Sequence, residues 1–296
     1  MAVEADGTIV ASYNAQLPFI TASTYKLIVM ADIYRRVELG ELSLDQYVVL
    51  DGAVFYEAID NYFTHAEIGS SFSIQEYILA MGAYSSNVAA RTLLTLTTPE
   101  ALRETALAIG MEDTYLFADL ADVPNWPPAP GVDGSVEDLG MAEQYLEQSA
   151  AASGSVNITT PLDMARYQLA VLHDTLISPW VSEQVAYVMQ RNVIRDRIPF
   201  FFEHLLVLNK PGDLPDAMND AGLLFLSDGP RAIVTFAQAL PDPDHAVLVE
   251  QRLALIGAGV QDIPPLYYGI GVAPVSDAVT GRSLRERVQV GGPGAR

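Results

Sequence analysis

The chain has 296 residues, 50% of them apolar and 18% charged. At about 150 residues per domain that length corresponds to roughly two domains or subdomains, and the composition excludes a disordered polymer. Asp and Glu number 37 against 16 for Lys and Arg, a net charge of −21. This argues against nucleic acids and anionic membranes as partners, because phosphate contacts need clustered Lys and Arg. No apolar run is long enough to span a membrane. Met1 to Asp6 has neither the basic flank nor the apolar stretch of a signal peptide. There is no Cys, so disulfides, thiolate catalysis and zinc–cysteine sites are excluded. His65, His173, His204 and His245 lack metal-ligand spacing, and nothing calls for a cofactor.

In chain order, Met1 to Ala15 reads as two short strands around Asp6-Gly7, a hairpin signal. Leu17 to Ala22 is a connector. Ser23 to Leu39 carries Leu27, Met30, Ile33, Tyr34 and Val37 at helical spacing and stops at Gly40. From 41 to 195 the chain reads as mostly helical: Ser73 to Tyr84, then Val88 to Leu96 after a break at Ser85-Ser86-Asn87. Thr98-Pro99 and Thr160-Pro161 open two more helices, each with Pro in the first helical turn. Asp163 is placed to close a capping box with Thr160. Val181 to Val193 is a further amphipathic segment. Ala118 to Asn157 reads as irregular and is rich in Pro and Gly in its first part.

Beyond Leu205 the pattern changes. Leu205 to Leu208, Gly222 to Leu226 and Ala232 to Phe236 are short apolar runs separated by turn residues, which read as three antiparallel strands. Ala246 to Gly257 reads as a helix. The expected architecture is α/β (α+β): an antiparallel sheet flanked by helices, with an all-helical lobe. Residues 1–40 and 196–265 would form the sheet lobe, 41–195 the helical lobe and 266–296 a C-terminal tail. A cleft between lobes is the default place for a site.

Of 16 basic residues only Lys26 and Lys210 are lysines. Arg cannot release its proton in a protein, whereas burial tunes Lys. Lys26 lies in Ser23-Thr24-Tyr25-Lys26, one helical turn after Ser23, so both side chains share a face. A Ser hydroxyl needs an adjacent base, and a desolvated Lys serves as one. Lys210 lies in Asn209-Lys210-Pro211-Gly212 after an apolar strand, where Gly212 permits close approach of a substrate. Ser85-Ser86-Asn87 offers a hydroxyl for proton transfer and an amide for binding.

This trio resembles the Ser-x-x-Lys, Ser-Asp-Asn and Lys-Thr-Gly set of class A β-lactamases and penicillin-binding proteins. The chain is similar to class A β-lactamase-related serine hydrolases, whose fold is shared with penicillin-binding D-Ala-D-Ala peptidases. Pro18 to Leu27 resembles the approach to the family's nucleophile helix, and Asn157 to Ala165 its Thr-Thr-Pro helix start. Arg195 to Pro199 and Asn219 to Gly222 resemble segments around its Lys-Thr-Gly strand. The resemblance implies that Ser23 is acylated and that Lys26 takes or relays its proton. Ser85 would protonate the leaving nitrogen and Asn87 bind the substrate amide. Lys210 would position Ser85 and a substrate carboxylate, and the N–H groups of Ser23 and Asp213 would form the oxyanion hole. It also implies export to the periplasm or the outside.

Three departures stand out. Ser86 replaces the family's Asp. Pro211 replaces a Thr or Ser hydroxyl, which only a strand edge tolerates. Glu143-Gln144-Tyr145-Leu146-Glu147 is the nearest match to the deacylating Glu-x-x-Leu-Asn segment, with Glu143 as the catalytic candidate and Glu137 as a second. The family's helix ahead of the first strand has no counterpart here, so the C-terminal tail or a partner is expected on that sheet face. Three readings follow: a β-lactamase acting on β-lactams or related amides, a penicillin-binding peptidase with slow deacylation, and a non-catalytic domain that binds peptidoglycan or protein.

Overall fold

The computed structural model of the protein describes residues 1–123, 136–238 and 243–260. The chain starts with the hairpin β1 (Ala2–Glu4) and β2 (Ile9–Ala11), followed by β3 (Phe19–Ile20) and a 3-10 turn over Ala22–Tyr25. Helix α1 (Lys26–Glu38) continues directly from that turn. After β4 (Tyr47–Val49) and β5 (Ser71–Ser73) come α2 (Ile74–Ala83), α3 (Asn87–Leu94) and α4 (Pro99–Ala108). Next are β6 (Tyr115–Ala118), α5 (Val136–Ser153), β7 (Val156–Thr159), α6 (Pro161–Leu172) and α7 (Pro179–Met189). Strands β8 (Val207–Leu214), β9 (Ala217–Leu226) and β10 (Gly229–Gln238) precede α8 (Pro243–Gly257).

Local chemistry accounts for most helix starts. Ser73 and Glu76 form a reciprocal capping box on α2. Ser86, Thr98, Thr160 and Ser178 each accept a backbone N–H at the start of α3, α4, α6 and α7, and Pro99, Pro161 and Pro179 occupy the first turn of the last three. Asp163 departs from its expected part. Its N–H donates to Thr160 Oγ1, but its carboxylate turns away from Thr160. It accepts from Asp113 N and Thr114 Oγ1 and pairs with Arg166. Buried donors of a distant segment outcompete the local box, because leaving them unpaired costs more.

The segment expected to be irregular contains α5, an 18-residue helix. Leu139, Ala142, Leu146 and Ala150 keep helical spacing. Leu146 packs with Ile20, Leu120, Val156 and Ile158. Gly140 in its first half lowers intrinsic helix propensity, and this burial supplies the offset. The mostly helical middle also carries the β4–β5 pair and β6 and β7, which form a second sheet with β3.

The main sheet has the order β2-β1-β10-β9-β8, with antiparallel pairing along β1, β10, β9 and β8. Alternation divides its faces. Leu208, Leu223, Ala232 and Val234 join the large core around α1, whose residues from Lys26 to Tyr34 are buried. Ala2, Val207, Leu224 and Ile233 face the other way and pack with Ile198, Phe202 and Ala254 of α8. That second face is thus covered in part by α8, whereas the tail expected there, 266–296, lies outside the described residues. Asp32, buried in α1, is neutralised by Arg35 and Arg36 and accepts from Thr97 and Thr105, which makes its burial tolerable.

Gly222 sits where β8 and β9 meet. A Cβ there would lie 2.2 Å from Leu208 O and 2.9 Å from Asn209 Cβ. Backbone cannot yield as a flexible side chain does. Gly222→Ala is expected to destabilise the protein by about 2 kcal/mol or more, measured by urea denaturation.

Candidate active site

Ser23 occupies the 3-10 turn and stays partly exposed, while Lys26 at the start of α1 is buried. The turn is set up by Ala22, whose φ of 43° is left-handed, a conformation that costs a non-Gly residue about 1 kcal/mol or more. Asn219, buried on β9, donates from Nδ2 to Ile20 O at 2.6 Å and anchors the approach. Gly212 of β8 lies directly against the turn: a Cβ on it would be 2.5 Å from Ser23 N and 2.9 Å from Thr24 N. Glycine is required here by contact, not by backbone angle. Asp213 follows at the exposed end of the strand.

The second motif forms the break between α2 and α3. Ser85 adopts a φ of 58°, which turns both its carbonyl and its hydroxyl toward the lysines. Lys26 Nζ donates to Ser85 O at 2.8 Å and Asn87 Oδ1 at 2.7 Å, with Ser85 Oγ at 3.3 Å. Lys210 Nζ donates to Ser85 Oγ at 2.9 Å and Pro211 O at 2.7 Å. The structure therefore gathers Lys26, Ser85, Asn87 and Lys210 into one cluster beside Ser23 and Gly212. β8 is the edge strand of the sheet, and its pairing with β9 runs through Pro211 without a shift in register. An edge strand leaves alternate N–H groups without a sheet partner, so the missing donor of Pro211 is tolerated there.

Electrostatics distinguish the two lysines. Burial first, then the charge of Lys210, push the Lys26 amine well below its ordinary range, against the opposing pull of Asp60 and Glu57. The shift favours the neutral amine, which has two N–H donors for Ser85 O and Asn87 Oδ1 and a lone pair to accept a proton. Burial lowers Lys210 to about 7, with Asp220 and Asp213 opposing the shift. Asp220 is itself pushed up to about 6 by burial, against Arg197 and the hydrogen bond from Asn209.

Several residues escaped the sequence reading. Arg197 is buried behind β8, donating to Gly212 O at 3.3 Å and Asn219 O at 2.8 Å and pairing with the Asp213 carboxylate. Glu250 of α8 lies 3.4 Å from Arg197 Nε. Asp60 accepts hydrogen bonds from the α3 start. The contacts that tie them to the site are remote in the chain, so spacing does not reveal these roles.

Glu143 lies outside the hydrogen-bonded cluster. It is half-buried on α5, and among the described residues it makes no hydrogen bond or ion pair with Ser23 or Lys26. Its helix is tied down by Tyr145 Oη donating to Asp216 at 2.7 Å. The Glu137 side chain lies outside the described residues. Among the described residues no group of three or more His, Asp or Glu could hold a metal ion.

Fold and site together define an α/β protein built around a buried pair of lysines beside a serine turn. The model of the Beta-lactamase2 family, described as a beta-lactamase enzyme family, matches residues 2–256. The chain belongs to the beta-lactamase enzyme family. Among solved structures it is similar to a beta-lactamase from Sphaerobacter thermophilus, with 23% identity over 89% of this chain and 91% of that one and a TM-score of 0.68. A beta lactamase from Xanthomonas campestris gives 21% identity, 88% and 89% coverage and a TM-score of 0.68. PBP-A gives 17% identity, 82% and 81% coverage and a TM-score of 0.64. A search of curated proteins finds no match.

Two outcomes follow. Gly212→Ala is expected to displace the Ser23 turn, visible as a shifted Ser23–Gly212 contact in a crystal structure of the variant. For Lys210, the unfolded chain holds a proton between about 7 and 10.5 that the folded protein has released. Its contribution to stability therefore rises with pH across that window. Lys210→Met should stabilise the fold more at pH 6 than at pH 9.5, by on the order of 1 kcal/mol or more, read from urea midpoints at the two pH values.

Proposed function

We propose that the protein is a serine hydrolase that forms an acyl-enzyme on Ser23 with β-lactam or related amide substrates and hydrolyses it. The observation that carries this reading is the convergence of Lys26 and Lys210 on Ser85 beside the Ser23 turn. Lys26, as the free amine, takes the Ser23 proton while Oγ bonds to the substrate carbonyl carbon. The N–H groups of Ser23 and Asp213 hold the resulting oxyanion. Collapse breaks the carbon–nitrogen bond, and the leaving nitrogen receives the proton of Ser85 Oγ. Ser85 is suited to that transfer because its oxygen already accepts from Lys210, which leaves its own proton to donate. Lys26 returns a proton to Ser85 and completes acylation. Water then cleaves the ester and regenerates Ser23. Asn87 binds the substrate amide through the part of its side chain that Lys26 does not occupy. Family kinship supports an exported protein, and among the described residues no helix is long and apolar enough to cross a membrane.

A second reading shares the first half of this mechanism. In a penicillin-binding peptidase the acyl-enzyme deacylates slowly. The position of Glu143, without a bond to Ser23 or Lys26, favours it, because deacylation then lacks a placed carboxylate base. One solved neighbour at 17% identity is a PBP-A mutant as its acyl-enzyme complex with penicillin G.

Intact-mass spectrometry with benzylpenicillin over time separates these readings. The expected result is an adduct of one penicillin per chain that Ser23→Ala abolishes. Lys26→Ala should slow its formation by about 10²- to 10⁴-fold, the range of a general base. An adduct that clears as free drug is hydrolysed marks a β-lactamase, whereas an adduct that persists marks the peptidase type. A wild-type protein that neither forms an adduct nor hydrolyses the drug sinks both and leaves the binding domain. Adduct formation should fall as pH drops, because protonating Lys26 removes the base.

A further inference from the structure

The carboxylate of Asp60 is the most heavily used acceptor near the site, yet Asp60 comes from the stretch between β4 and β5 and touches no reacting atom. Its Oδ2 accepts from Ser86 Oγ at 2.7 Å, Tyr62 N at 3.0 Å and Phe63 N at 3.0 Å. Its Oδ1 accepts from Asn87 N at 2.8 Å and Val88 N at 3.0 Å. Two of these donors are the first N–H groups of α3, which no intrahelical carbonyl satisfies. The Ser86 hydroxyl meanwhile caps Ala89 N at 2.9 Å. Asp60 and Ser86 thus share one task that requires an acceptor, at the point where α3 begins.

This arrangement sits one bond from the reactive cluster. Ser85 holds a left-handed φ of 58°, and a strained turn persists only where its surroundings over-determine it. Asp60 fastens the residue after that turn and the backbone of the next two. With Ser86 and Asn87 fixed, Ser85 O and Asn87 Oδ1 stand 2.8 and 2.7 Å from Lys26 Nζ. A second clip ties the same stretch to α3: Arg91 pairs with Glu57 through two bonds of 2.6 Å and donates to Val54 O.

We propose that Asp60 is a positioning residue for acylation: it locks the Ser85–Asn87 turn so that Lys26 is held between Ser85 O and Asn87 Oδ1 with its lone pair free for Ser23. This rests on the acyl-enzyme reading above. Asp60 also acts on Lys26 through charge. The charged groups facing Lys26 are Lys210 and Arg91, which favour the free amine, and Asp60 and Glu57, which favour the cation. Asp60→Asn removes one of the two anions, so the free amine of Lys26 should survive to lower pH.

The test compares the wild type, Asp60→Asn, Asp60→Ala and the double variant Asp60→Asn with Ser86→Asp. The last returns a carboxylate to the start of α3 from the opposite side of the same hydrogen bond. Three readouts are used: amide hydrogen exchange at 85–88, thermal midpoint, and the rate of benzylpenicillin adduct formation across pH. The expected result for Asp60→Asn is faster exchange at 85–88 and about a tenfold or larger fall in adduct rate, as misplacement of a catalytic group produces. The acid limb of the rate profile moves to lower pH, and the double variant recovers part of the rate. A merely structural role would lower the thermal midpoint and leave the acid limb in place, and that result overturns the proposal. So does an adduct rate and an exchange pattern equal to wild type. A wild-type protein that neither takes an adduct nor hydrolyses the drug removes the acyl-enzyme reading and the acylation role with it. Exchange at 85–88 then still decides whether Asp60 locks the turn.

Discussion

Two buried lysine side chains share one hydroxyl. Lys26 and Lys210 both point at Ser85 Oγ, at 3.3 and 2.9 Å, and both side chains are fully buried. Like charges so close and so poorly solvated do not both stay protonated. Their repulsion adds to burial on Lys26, and together they push its amine well below its ordinary range. Much of the remaining structure serves this arrangement. α1 is enclosed by other elements, which makes Lys26 dry. β8 presses Gly212 against the Ser23 turn. The left-handed Ser85 brings a carbonyl and a hydroxyl to meet the two lysines.

The strand that carries Lys210 is held from behind. Arg197 grips the carbonyls of Gly212 and Asn219 and the carboxylate of Asp213, and Glu250 reaches it from α8. Burial drives the Glu250 carboxyl well above its ordinary range, with the Arg197 charge as the main counterweight. Such groups are costly to bury and more costly to separate. The edge strand, which has a neighbour on one side only, gains from this a fixed position relative to Ser23.

The candidate site was legible in part from spacing and in part from the family resemblance. Ser23 and Lys26 lie one turn apart wherever that segment is helical, and the 3-10 turn that replaces the first helical turn keeps them neighbours. Pro211 marked an edge strand because a missing N–H is harmless only there. Thr98-Pro99 and Thr160-Pro161 marked helix starts through groups within three residues of one another. α5 was not legible, because Gly140 weakens its local preference and its stabilising contacts come from Ile20, Leu120 and Ile158. The family resemblance made Glu143 the deacylating candidate, yet on its helix it has no bond to the cluster.

The residue types of this site, its two lysines and the chemistry open to them were present in the order of the amino acids, as were the hairpin, the caps and the C-terminal strands. Those features depend on neighbours within about four positions, where geometry follows from helix and strand periods. The meeting of Lys26 with a hydroxyl 59 residues away, and of Lys210 with the same hydroxyl 125 residues away, has no such local rule. Nor has the capture of the α3 start by Asp60, or of β8 by Arg197. These contacts arise when the core around α1 closes and brings remote polar groups into a dry space. There each must find whichever partner packing has placed beside it.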